Sequence, residues 1–145
     1  MRDGYSKTAT FDNLVNANVK TTPDPDGTDL TNAGSVLLVA NVGDSLDTLS
    51  GSVKIEFTVE ESADGSAWTT VTDNDEVVGG TLAASTGIFY TIDAPAKDQV
   101  IVEISYTGDS KHARILPTFT GTHTNGIPLG LLSVLMDLRE APPVA

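Results

Sequence analysis

Between Val53 and Glu60 the chain reads VKIEFTVE, and its alternation has no fault. Val53, Ile55, Phe57 and Val59 fall on one side, and Lys54, Glu56, Thr58 and Glu60 on the other. A period of two is the repeat of an extended strand with one buried face, and no helix gathers those four apolar side chains on one stripe. Strands of this kind belong to antiparallel sheets that are wet on one side. SVLLVANV, from Ser35 to Val42, is instead a short continuous apolar run, as expected for a strand covered on both faces. GIFYTI (Gly87 to Ile92) and HARILPTFT (His112 to Thr120) are further strands. In QVIVEISY, Val100, Val102, Ile104 and Tyr106 share a side. LGLLSVLMDLRE sets Leu132, Val134, Met136 and Leu138 against Ser133, Leu135, Asp137 and Arg139. The following APPVA ends the ladder, because proline donates no hydrogen bond.

Short strands with turn clusters between them, and no helical segment to separate them, describe an all-β antiparallel sandwich or barrel, jelly-roll or Ig-like. With 145 residues the chain is long enough for one real core. Residues 35–145 read as a single β domain, and residues 1–34 as an N-terminal arm and loop. In the arm, Tyr5, Phe11, Leu14, Val15 and Val19 are scattered apolar anchors, and Leu14 to Val19 has room for one helical turn. TTPDPDGTDLTNAG (Thr21 to Gly34) is dense in turn residues. TDNDEVVGGTLAAST (Thr72 to Thr86) is a long loop with room for an edge strand at EVVGG.

FTVEESADGSAWTTV carries the one tryptophan. Asp64-Gly65 signals a two-residue type I′ turn, which sets Trp68 opposite Glu61 and Thr70 opposite Val59, with the indole capping the core. A three-residue loop with Gly65 in a bulge sets Trp68 opposite Glu60 instead, on the polar face. The core position is the expected one, because a large indole is costly to leave wet.

Charge narrows the partners. Twenty acidic residues against eight basic ones give a net charge of −12, a field that repels nucleic-acid phosphates and anionic lipid. No apolar run approaches the length of a membrane span and the N-terminus lacks an apolar leader, so a soluble protein is expected. The chain has no cysteine and hence no thiolate chemistry. Its two histidines, His112 and His123, lack the spacing of a zinc motif and read as polar loop residues near strand ends. DPDGTD (Asp24 to Asp29) is a fragment of a calcium loop without its glutamate, so an Asx-type turn is the better reading. Glu60 and Glu61 point to opposite faces of a strand. No catalytic residue, metal ligand or cofactor is nominated, and an enzyme is not expected.

RILPTFTGTHTNGIPLGLLSVLMDLREAPP resembles the closing segment of small virion proteins of tailed bacteriophages. The likeness rests on Arg114, Thr118, Thr120, Gly121 and Thr122, then Asn125-Gly126, then Arg139 and Pro142, with ESADGSAWTTV similar to hairpins in the same proteins. Such proteins are head decoration, or cement, proteins. The resemblance implies a structural protein without catalytic residues, made in the host cytoplasm and placed on the outer surface of the head. Its partners would be the major capsid protein and further copies of itself, as trimers or dimers. The arm anchors Tyr5, Phe11, Leu14, Val15 and Val19 would then meet the capsid. SADGSAWTTV is also similar to the S-x-DG-x-x-W hairpin of discoidin-like carbohydrate-binding modules, and a tail-tube subunit is a further alternative.

Overall fold

The computed structural model describes residues 7–139. Ten strands run in chain order: β1 Thr8–Val19, β2 Thr28–Asp29, β3 Ser35–Val42, β4 Lys54–Ser62, β5 Thr69–Thr70, β6 Val77–Val78, β7 Ile88–Ile92, β8 Val100–Tyr106, β9 His112–Thr120 and β10 Ile127–Met136. Two short 3-10 turns lie at Asn74–Glu76 and Pro95–Lys97. One sheet has the order β1-β10-β3-β8-β6. The other has the order β2-β9-β4-β5, with β7 also pairing with β4. Every pairing is antiparallel.

Leaving aside β5 and β6, successive strands lie in opposite sheets except β4 and β7, which pair with each other; the first strand pairs with the last, and the orders are 1-10-3-8 and 2-9-4-7. That wrapping is a jelly roll, not the hairpin-connected Ig arrangement. The expected sandwich is therefore present.

Alternation decides what fills it. Ile55, Phe57 and Val59 of β4 are fully buried, facing Val36, Leu38 and Ala40 of β3 and Ile104 of β8 across the sandwich. Phe57 is the largest of these and meets the ring of Phe89 edge-on and that of Tyr90 at a tilt, with centroids 6.5 and 6.3 Å away. Burying such a side chain stabilises the fold by about 2–3 kcal/mol. From β10, Leu129, Leu131 and Leu135 point inward. Leu132, Val134 and Met136 point outward, and Leu138 does not join them: it is buried, because Asp137 has a φ of 53° and breaks the alternation.

The N-terminal segment departs from the sequence reading. Leu14 to Val19 makes no helical turn. It belongs to β1, a twelve-residue edge strand hydrogen-bonded to β10, and β2 joins the second sheet beside β9. A polar bridge closes this edge of the sandwich. Thr28 Oγ1 and Ser133 Oγ share a hydrogen bond of 2.6 Å, and Asn13 Nδ2 donates to Thr28 Oγ1 at 2.7 Å. All three residues are buried, and their mutual bonds offset the desolvation of their polar groups.

β3 has the residues of a strand covered on both faces, but the second sheet covers only the side of Val36, Leu38 and Ala40. Leu37 and Val39 lie on the opposite side. EVVGG supplies the short edge strand β6 beside β8.

Candidate interaction surface

Four of the five arm anchors lie on β1; Tyr5 lies outside the described residues. The structure separates the four. Leu14 and Val19 pack against the core, whereas Phe11 is 48% exposed and Val15 72% exposed. Two register shifts against β10, between Asp12 and Leu14 and between Leu14 and Ala17, bend the strand. Bulges of this kind blunt an edge against unspecific pairing. Asp12 is the only charged residue in the strand. Beyond Phe11 a cleft of about 590 Å³ opens, lined by Asp12, Asp26, Gly27, Asp64 and His112 among others. Its carboxylates do not converge: among the described residues no three His, Asp or Glu side chains come together as a metal site.

Between β1 and β2 the chain crosses the outward face of the second sheet as a strap, and Arg114 of β9 holds it there. The guanidinium donates from Nε to Glu60 Oε2 at 2.7 Å, and from Nη1 to Asp24 Oδ1 at 2.8 Å and to the Pro25 carbonyl at 2.6 Å. Arg114, Glu60 and Pro25 are all buried. The same guanidinium lies 4.2 Å from the centre of the Trp68 ring, a cation–π contact. A Cβ at Gly27 would run into the indole, so the strap approaches the ring as closely as a side-chain-free residue allows.

Trp68 is thus not in the core; that expectation is corrected. β5 pairs Glu60 with Thr70 and Glu61 with Thr69, and neither expected turn forms. Asp64 keeps a negative φ, which rules out type I′; among the described non-glycine residues only Gln99 and Asp137 have a positive one. Its carboxylate instead accepts the N–H groups of Ser66 and Ala67, at 2.9 and 3.0 Å, and closes a wider loop. Those amides, Ala67 first, hold the Asp64 carboxyl well below the usual carboxylate range. The register places Trp68 on the Glu60 and Ser62 side of the sheet, half-buried beneath the strap.

The calcium-loop fragment ends in an Asx turn, while its first carboxylate, Asp24, accepts from Arg114. Asp29 Oδ1 accepts the Thr31 hydroxyl at 2.6 Å and its N–H at 2.9 Å, and both contacts lower the Asp29 pKa. His112 opens β9. His123 sits in the β9–β10 loop as expected but is buried, not solvated; it lies edge-on to Phe119 with its Nε2 3.1 Å from the Thr120 carbonyl. Nearby, Asp47 accepts the N–H groups of Asn125 and Gly126, each at 2.8 Å, which lowers its pKa, the Asn125 amide most. At the other end of the sandwich the Tyr106 hydroxyl donates to Glu61. Burial first, then that bond, pushes the phenol up to about 12. Glu76 is pushed up by burial and by the negative charges of Glu61, Asp73 and Asp109. Among the described residues no helix is long and apolar enough to cross a membrane.

No family model matches the chain, and no curated protein or solved structure is detectably similar to it.

Proposed function

We propose that this chain is a structural virion protein, a decoration protein that binds the outer surface of a tailed-bacteriophage head and clamps neighbouring major capsid subunits. The observation that carries the reading is β1: a twelve-residue edge strand with one charge, exposing Phe11 and Val15 on a chain of net charge −12. An edge strand presents unpaired backbone groups as well as side chains, and addition of a strand at such an edge is a general mode of protein docking. The jelly roll agrees with the role by analogy alone, since the architecture recurs in capsid proteins and also in lectins. Against the carbohydrate alternative stands the Arg114 guanidinium, which lies over the Trp68 ring where a sugar would stack.

The test is binding of the purified chain to heads assembled without it, with its solution mass measured by light scattering. Saturable binding at fixed positions on the shell, by a monomer or a discrete dimer or trimer, is expected. Failure to bind any head, or stacking of the free protein into rings or tubes, overturns the reading; the latter outcome points to a tail tube.

A further inference from the structure

The outward face of the first sheet is apolar at its centre, and among the described residues no strand of either sheet lies over it. The register aligns one row across all five strands: Val78 of β6, Ser105 of β8, Leu37 of β3, Val134 of β10 and Thr10 of β1. The next row is Glu103, Val39, Leu132 and Asp12. Met136 and Ile101 extend the apolar patch beyond these rows. Val78 and Ile101 are 61% and 60% exposed, and Leu37, Val39, Leu132, Val134 and Met136 are half-buried. The outward side of a sandwich strand is ordinarily polar. β3 and β10 instead carry apolar residues on both sides.

We infer that this face docks a protein partner whose contact surface has an apolar centre flanked by Lys or Arg, and that on the reading above this partner is the major capsid protein. Charge selects that occupant over a second copy. Asp12 and Glu103 stand at the two ends of the Val39–Leu132 row, and no described Lys or Arg occupies either row. Two such faces packed about a twofold axis would set acid against acid, on subunits already at −12 each. Basic residues on a partner would meet both ends of the row. From strand spacing and rise the face measures roughly 19 by 20 Å, about 400 Å². That is about half of what one partner contributes to a stable standard interface, roughly 800 Å². One copy alone therefore binds weakly, and many copies tied to one lattice hold through multivalency.

The experiment measures occupancy of heads assembled without the chain, using wild type, Val39→Lys, Val39→Thr, Asp12→Asn/Glu103→Gln and, as a control of equal charge on the outward face of the second sheet, Thr118→Lys. Loss of the central apolar contact should weaken V39K at least tenfold and V39T less, while T118K matches wild type. D12N/E103Q should lose about two- to fivefold and show a flatter salt dependence. If wild type binds and V39K binds equally well, the face is wrong and the decoration reading stands. If wild type binds no head, the reading falls and takes this partner with it. A wild-type dimer that V39K turns into a monomer makes a second copy the occupant and overturns the inference. So does a V39K that unfolds far more easily than T118K, because the chain would then cover the face itself.

Discussion

Replacing Arg114 by methionine strands a buried carboxylate, and the cost follows from what surrounds it. Arg114 and Glu60 each keep less than about a tenth of their surface, whereas the Asp24 side chain is 92% exposed. The exposed pair contributes about 0–1 kcal/mol. Breaking the buried pair costs about 3–5 kcal/mol, because Glu60 stays desolvated without its counter-charge. We expect R114M to lose about 3–5 kcal/mol in urea unfolding followed by far-UV circular dichroism. Trp68, released from the guanidinium and the strap, should shift its emission to the red and become open to iodide quenching. The double variant R114M/E60L removes both charges and should recover to within about 1 kcal/mol of wild type, since apolar replacement of a buried pair is often neutral. An R114M protein within about 1 kcal/mol of wild type, with unchanged emission, would refute the view that this ion pair holds the strap.

Three further outcomes are expected. Gly27→Ala places a Cβ into Cη2 and Cζ2 of Trp68, so strap or ring must move, at about 1–3 kcal/mol by the same unfolding assay. The pKa of Asp47 is lowered in the folded protein, so its stabilisation is present above its ordinary value of 3.8 and lost as pH falls through the folded value. The stability gap between wild type and Asp47→Asn should therefore be open at neutral pH and narrow in acid titrations below about pH 4. Glu76 has the opposite sign: its pKa is raised, so the charged form opposes folding and stability falls as pH rises through the folded value. Glu76→Gln should raise the unfolding midpoint at pH 7 and leave it unchanged below the ordinary value of 4.5; no gain at pH 7 would contradict the assignment.

Strand positions are legible where the apolar pattern is strong. VKIEFTVE lies within β4 but for its first residue, QVIVEISY brackets β8 to within a residue, and SVLLVANV coincides with β3. What covers each face is less legible: Thr58 and Glu60, on the polar side of β4, are buried. β1 was not legible because it lies at an edge. Most of its residues are exposed on either side, and two register shifts erase what alternation remains. The Trp68 hairpin misled for a local reason: the Asp64 carboxylate satisfies two amides, which a type I′ turn would have left to the backbone. Only space reveals the Arg114 cluster: Glu60 and Trp68 share one hairpin, but Asp24 comes from the strap and Arg114 from β9. The open face, by contrast, was written in β3 and β10 as apolar residues at both parities. What the sequence could not say is that one of those sides has no cover within the sandwich.

The pairing of the first strand with the last also governs how such a chain is made. Thr8 finds its partner at Met136 and Val19 at Ile127, so β1 leaves the ribosome long before any residue of β10 exists. At the usual pace of synthesis that wait is on the order of ten seconds. The sandwich therefore closes only after β10 has been synthesised, and a product that stops short of it leaves β1 and β3 without their shared partner. Folding should be slow, as the long sequence separation of these contacts demands. A chain held at the ribosome or fused ahead of a bulky neighbour should aggregate first through that unmated pair.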